Sequence, residues 1–195
     1  MGTMMSVSLG NNGMTMKDAI PYFQSEMLIF DPGFGTLDTF SLTNGEIIHE
    51  PQTFNDLGMK RVLDLTSEKI LETYGVDIPV PAMQSYLQRG SIPILDRKSH
   101  KVVNHPFDAL LEQASRETCT AAINKILDVY NDLVDYKYLV VTGGTGEAWY
   151  PYIKEYFEGY DNLEIIPGNK NSSLPFVFGN VRGYFLGLIN TLKNV

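Results

Sequence analysis

The sequence is poor in the residues that make redox and metal chemistry. Its 195 residues include one cysteine and three histidines. A single thiol excludes an internal disulfide and any multi-cysteine metal centre, and fits a reducing, cytoplasmic setting. Cys119, among apolar helical positions, reads as core. His49, His100 and His105 lack metal-ligand spacing with each other or with the cysteine, and read as surface or turn residues. Basic residues are also in short supply, with 15 Lys and Arg against 23 Asp and Glu, a formal net charge of −8. Phosphate backbones are held largely by Lys and Arg, so no direct nucleic acid contact is expected. No apolar run reaches the roughly 18 residues of a membrane span. Residues 1–6 lack the basic flank and apolar stretch of a signal peptide and are set aside from fold reasoning. A hydrophobic fraction of 44% with 19% charged residues is enough for one globular core.

Periodicity supplies the elements. Met27-Leu-Ile-Phe30 reads as a buried strand entering the tight turn Asp31-Pro-Gly33. Residues 36–42 alternate, Thr43-Asn-Gly45 is a hairpin turn, and Glu46-Ile-Ile-His49 returns, giving a three-stranded meander over 27–49. Residues 55–74 change to a helical period, with Asn55 or Asp56 as N-cap and Gly75 as the stop. A second helix fits 81–88, and a hairpin fits 92–95 with 101–103 around Asp96-Arg-Lys-Ser99. A long helix is predicted over 107–134. The buried strand Tyr138-Leu-Val-Val141 follows, then a turn at Gly143-Gly-Thr-Gly146, a helix over 147–158, a strand over 163–166 and a closing helix over 176–192. Gly179, Gly183 and Gly187 lie on that last helix at spacing four, which suits tight helix packing. No repeat and no low-complexity segment interrupts the order. The fold class is α/β, a mixed sheet flanked by helices.

Two segments are suited to phosphate chemistry. In Asp31-Pro-Gly-Phe-Gly-Thr-Leu-Asp38 the glycines let backbone N–H groups approach phosphate oxygens without an intervening Cβ. Thr36 adds a hydroxyl, and Asp31 at the strand end can hold Mg²⁺ through water. An ordinary Asx-capped turn is the plain alternative. Thr142-Gly-Gly-Thr-Gly-Glu-Ala-Trp149 joins a strand to a helix, where unpaired N–H groups face a ligand. It partly matches the dinucleotide fingerprint of short-chain dehydrogenases. The third glycine of that fingerprint is replaced by Trp149, however, and Glu147 and Trp149 crowd the pyrophosphate face. The aromatic helix carrying Trp149, Tyr150, Tyr152, Tyr156 and Phe157 reads as core, with a filament contact as the alternative.

Taken together, Asp-x-Gly-x-Gly-Thr-x-Asp on a hairpin and, far downstream, Val-Val-x-Gly-Gly-x-Gly-Glu on a strand-to-helix turn resemble the second phosphate motif and the adenosine motif of the actin, chaperone and sugar-kinase superfamily. The resemblance is closest to ParM-like plasmid partition ATPases. Leu28-Ile-Phe-Asp-Pro-Gly-Phe-Gly-Thr-Leu-Asp38 is similar to their Leu-Ile-Ile-Asp-x-Gly-x-x-Thr-Leu-Asp segment. Asn55-Asp-Leu-Gly58 resembles the loop before their next helix, and Asn180-Val-Arg-Gly-Tyr-Phe-Leu-Gly187 their closing helix. The first phosphate loop of the family has no counterpart: Asn11-Asn-Gly13 follows no apolar strand and Lys17 lies outside any such loop. Pro32, Phe34 and Thr145 depart from the family pattern.

The resemblance implies the ribonuclease H-like actin fold, of which residues 27–195 form the second, nucleotide-binding half. Residues 1–26 are then an N-terminal extension and 56–105 an inserted helical and hairpin subdomain. It implies ATP or GTP with Mg²⁺ as cofactors. Asp31 would be the catalytic residue and metal holder through water. Gly33, Phe34, Gly35 and Thr36 would meet the β- and γ-phosphates, and Gly143, Gly144, Thr145, Gly146 and Glu147 the nucleoside side. Arg116 and Glu117 would lie on the adenine-side wall. The whole protein would be a cytoplasmic, filament-forming ATPase that moves plasmids through a ParR-type DNA-binding adaptor; this part alone would hydrolyse little. A non-enzymatic assembly module with vestigial loops, and a small dehydrogenase, remain the other readings.

Overall fold

The computed structural model describes residues 2–193; Met1, Asn194 and Val195, the outer ends of the expected domain boundaries, lie outside them. The strands are β1 (Glu26–Pro32), β2 (Thr36–Thr43), β3 (Glu46–Ile47), β4 (Gln52–Asn55), β5 (Ser91–Asp96), β6 (Lys101–Pro106), β7 (Tyr138–Val141) and β8 (Glu164–Pro167). The helices are α1 (Gly2–Ser8), α2 (Met59–Tyr74), α3 (Val80–Leu87), α4 (Asp108–Val129), α5 (Gly143–Tyr156) and α6 (Gly179–Lys193), with short 3-10 turns at Lys17–Gln24, Asn131–Leu133 and Phe176–Phe178.

The main sheet runs β3-β2-β1-β7-β8, and β4 also pairs with β2. β1 and β2 are antiparallel, whereas β1–β7 and β7–β8 are parallel. The sheet is therefore mixed and covered by helices, as expected from the sequence. Its central strands are apolar throughout because both faces are buried. Leu28, Phe30, Leu139 and Val141 point to the side of α4 and α5, where Trp149, Ile123 and Ile126 complete the core. Met27, Ile29, Tyr138 and Val140 point to the other side and meet Met4, Val7, Ala19 and Tyr22.

The N-terminal segment, expected as an extension, is instead part of the core: α1 and the Lys17–Gln24 turn cover one face of the sheet. α1 packs on α6, and the glycines at spacing four are the reason it can. A Cβ on Gly183 would stand 1.6 Å from the Gly2 carbonyl oxygen, and one on Gly2 would stand 2.4 Å from the Asn180 carbonyl oxygen. The helix is short and without acidic or basic end residues, so periodicity alone does not reveal it.

Other boundaries move for local reasons. Gln52–Asn55 is a strand rather than a helix start, so α2 is capped by Gly58, not by Asn55 or Asp56. Gly75 ends α2 in the left-handed region at φ 68°. α4 stops at Val129, short of the predicted 134. Asn131, Asp132 and Leu133 take φ of 49°, 53° and 57°, which Asn and Asp tolerate. This turn buries Leu133 in the core while the Tyr130 hydroxyl bonds Thr39 Oγ1 at 2.8 Å. The Gly143-Gly-Thr-Gly146 stretch is itself the first turn of α5, not a loop before it. Trp149 is fully buried and donates from Nε1 to Ser115 Oγ at 3.0 Å, as the core reading expects; it does not crowd a ligand face. Cys119 is buried, and burial pushes its thiol up to about 12, as suits a core residue.

Leu63, Ile70, Ile78, Met83, Ile92 and Phe107 form a third cluster, roofed by the separate two-stranded sheet β5–β6.

The α1–α6 crossing gives a direct test. Gly to Ala in a free helix gains about 1 kcal/mol from propensity. At Gly183 the methyl meets backbone, and overpacking costs about 1–3 kcal/mol or more. Gly183→Ala is therefore expected to destabilise in urea unfolding; a stabilised variant would contradict the packing described.

Candidate functional site

β1 and β7 are parallel neighbours, in register from Met27 with Tyr138 to Phe30 with Val141. Their C-terminal ends leave the sheet on one side, so the turn after β1 and the helix after β7 emerge together. They line one cleft with Asp31, Pro32, Gly33, Phe34, Met59, Gly143, Gly144, Thr145, Val177 and Asn180.

The turn after β1 is held by its carbonyls. Gly33 O accepts from the Met59 N–H at 3.1 Å and from Thr145 Oγ1 at 3.0 Å. Phe34 O accepts from the Lys60 N–H at 2.7 Å, and Gly35 O from the Asp56 N–H at 3.1 Å. The N-terminus of α2 thus fixes the carbonyl side of the loop. Among the described residues, the N–H groups of Phe34 and Gly35 donate to no protein acceptor. A Cβ on Gly35 would meet nothing within 4 Å, so the backbone is open to a ligand there.

Opposite, the first turn of α5 contributes N–H groups with no intrahelical acceptor, at Gly143, Gly144 and Thr145, and Thr142 makes no side-chain cap. The helix dipole adds partial positive charge at the same end. Gly143 is required on two counts. Its φ is 78°, and a Cβ there would stand 2.5 Å from Asp31 Oδ1. Gly146 lets α5 approach the strands, since a Cβ there would lie 3.1 Å from Val141 and 3.4 Å from Pro32.

Asp31 sits at the floor. Burial raises its carboxyl above the ordinary range; the hydrogen bond from Asn180 opposes this and the charge of Asp38 adds to it. Asp38 is its cross-strand partner. Asn180 Nδ2 donates to Asp31 Oδ2 at 3.2 Å, while its Oδ1 accepts from Thr3 N and Oγ1 at 2.9 and 2.7 Å. A half-buried carboxylate with an oxygen at the cleft and no basic side chain lining it fits a cation or its coordinated water.

The sequence-derived residues divide. Asp31, Gly33, Phe34, Gly143, Gly144 and Thr145 line the cleft, with Gly35 beside it at the loop's open point. Thr36 bonds Asp38 at 3.3 Å, and Asp38 accepts from Thr53 at 2.6 Å, tying β2 to β4. Glu147 accepts from the Phe176 N–H at 3.1 Å and so braces the segment before α6. Arg116 and Glu117 are not among the cleft residues. Arg116 pairs with Glu112 and Glu155, and Glu117 with Lys69. Met59, Val177 and Asn180 are cleft residues that the motifs did not indicate. Asn180 had a signal in the Asn-x-x-Gly pattern; Met59 and Val177 carry none. No group of histidines, cysteines and carboxylates among the described residues is arranged to hold a metal by protein ligands alone.

Solved structures share this fold. The apo psk41 ParM protein superposes with a TM-score of 0.67 at 17% identity, covering 100% of this chain and 48% of that one. A ParM filament from Clostridium botulinum gives 0.62 at 17%, covering 97% and 51%. An archaeal actin homologue in complex with ADP gives 0.57 at 18%, covering 100% and 56%. This is an actin-like ATPase fold. The chain spans about half the length of these actin-like structures. No family model and no curated protein matches the sequence.

The raised Asp31 carboxyl couples stability to pH. Its folded-state affinity for a proton is raised, so the native state holds the proton more tightly than the unfolded chain. Stability from this group is full below the ordinary carboxylate value and falls as pH rises through the raised one. Asp31→Asn is expected to raise Tm by a few degrees at pH 7, with the gain vanishing below about pH 4. Thermal scans across that range check it; a pH-independent gain, or a loss, would contradict a carboxyl raised by partial burial.

Proposed function

We propose that the chain is the nucleotide-binding half of a filament-forming ATPase, and that the cleft between Gly33 and Gly143 receives the phosphates of ATP or GTP with Mg²⁺. The observation that carries this reading is the pair of outward N–H surfaces. Phe34 and Gly35 offer amides from a loop whose carbonyls are already taken, and the α5 N-terminus offers amides from the facing side. Converging N–H groups attract phosphate oxygens. Asp31 would orient the Mg²⁺-bound water, a role in which positioning and electrostatics do the work. The ADP bound to the archaeal homologue is in keeping with this assignment.

The other wall of the cleft would come from a complementary half, in the same protein or another. Val177 lines the cleft, and from it an exposed apolar stripe continues along α6 through Val181, Phe185, Leu188 and Leu192. A stripe of that kind is suited to burial against a second domain. Within this half, residues 56–105 would be an inserted unit with its own small core. Head-to-tail assembly, plasmid movement through a ParR-type adaptor and a cytoplasmic location complete the proposal. No helix among the described residues is long and apolar enough to cross a membrane.

A dehydrogenase reading has less support, because Trp149, fully buried in the core, stands where the dinucleotide fingerprint needs its third glycine. Calorimetric titration with Mg-ATP, Mg-GTP and NADP separates the readings. Weak binding of a purine nucleoside triphosphate is expected. Asp31→Ala should reduce the Mg²⁺-dependent part. Gly35→Ala, where space is open, should weaken binding while changing stability by less than about 0.5 kcal/mol. A preference for NADP, or no binding by any nucleotide, would contradict the proposal.

A further inference from the structure

In the turn Gly143-Gly-Thr-Gly146, Thr145 is the residue that carries a side chain. It is 6% exposed, and its Oγ1 donates to Gly33 O at 3.0 Å, across to the other wall of the cleft. A hydroxyl has one proton to give. With that proton on Gly33 O, only lone pairs of Oγ1 remain, and lone pairs do not attract phosphate oxygens. Branching at Cβ restricts χ1, so few rotamers compete with this bond. The hydroxyl is thus not free to donate to a phosphate while the bond holds.

What the bond does instead follows from peptide geometry. In a trans peptide the C=O of one residue and the N–H of the next point in opposite directions, and the loop's peptides are trans. Whatever holds the Gly33 carbonyl therefore aims the Phe34 N–H. Gly33 O takes two donors, the Met59 N–H at 3.1 Å and Thr145 Oγ1 at 3.0 Å, one for each lone pair. Phe34 O takes the Lys60 N–H, which aims the Gly35 N–H in the same way. The donors from residues 56–60 are backbone amides on the far side of the loop. Thr145 is the side chain among these donors, and it comes from across the cleft. Beside it, α5 lies close against the end of β1. A Cβ on Gly143 would stand 2.5 Å from Asp31 Oδ1, and one on Gly146 would stand 3.4 Å from Pro32. Those two contacts set a distance between the walls. The Thr145 bond adds a direction, because it fixes the 33–34 peptide relative to the helix that faces it.

We propose that Thr145 is a positioning residue, whose hydroxyl clasps Gly33 O and aims the Phe34 and Gly35 amides into the cleft instead of donating to the ligand. This rests on the phosphate-site reading above and names the side chain that joins the two walls. The two N–H surfaces then form one unit that is already in place in the free protein.

Two substitutions in the full chain test it. Thr145→Val keeps the shape and removes the proton, whereas Thr145→Ser keeps the hydroxyl and loses the methyl. Circular dichroism checks that both variants fold. NMR relaxation of backbone amides, without nucleotide, reads the loop directly. In the natural chain the Phe34 and Gly35 amides should be rigid, with order parameters of about 0.85. Thr145→Ser should stay close to that value. Thr145→Val should fall toward the flexible limit of about 0.6 at Phe34 and Gly35, with the amides of β1 unchanged. In calorimetry with Mg-ATP, Thr145→Val should bind roughly three- to tenfold more weakly, as loss of one hydrogen bond gives. Thr145→Ser should bind within about twofold of the natural chain. A rigid loop in Thr145→Val would overturn the proposal, and with weakened binding it would mark a direct ligand contact. Equal loss of order in both variants would also overturn it, because the methyl and not the hydroxyl would then hold the loop. A natural chain that binds no nucleotide counts against the phosphate-site reading, while the order parameters still decide whether the hydroxyl holds the loop.

Discussion

Parallel pairing of β1 with β7 is the constraint on which the site depends. Two parallel strands end at the same edge of a sheet, so whatever follows them must emerge side by side. Here one strand is followed by a hairpin turn and the other by a helix. The register that pairs Phe30 with Val141 sets Asp31 beside the first residue of α5, at a distance that leaves no room for a Cβ on Gly143. The turn is then fixed from the far side, where the first amides of α2 take its carbonyls. The same arrangement recurs at open α/β edges generally, where ligands sit outside the carboxyl ends of strands. What distinguishes this edge is that both walls present N–H groups while a partly buried carboxyl forms the floor.

The opposite face of the sheet supports that floor. α1 closes on α6 because the glycines at Gly2 and Gly183 allow backbone contact. Asn180, one turn into that contact, accepts two hydrogen bonds from Thr3 and donates one to Asp31. The carboxyl is thereby tied to a helix crossing on the far side of the sheet. Asn180 is thus the hydrogen-bonded link between the α1–α6 crossing and the cleft.

Much of this was legible in the sequence, and what was not has physical causes. The buried strands, the hairpin turn, the Gly75 stop and both glycine motifs follow from period and turn chemistry. The partnership of the motifs was legible only through resemblance, because no local pattern states which strands are neighbours. α1 escaped because seven residues with few apolar positions carry no usable period, and its stability comes from a tertiary partner. The end of α4 is not legible because apolar spacing continues through Leu133 and Val134, while the chain turns through left-handed Asn131–Leu133 and places Leu133 in the core beside Tyr130. Thr36 and Glu147 sit inside the motifs yet satisfy neighbouring structure, which spacing does not distinguish from ligand contact. Met59 and Val177 reach the cleft by the way α2 and α6 pack.

The claim that two distant glycine bends form one phosphate site is tested most directly by amide hydrogen exchange with and without Mg-ATP. Slowed exchange is predicted in both segments together, residues 33–36 and residues 143–146, with Asp31→Ala reducing the effect in both. Protection confined to one segment, or to neither while nucleotide is bound, would contradict a shared cleft.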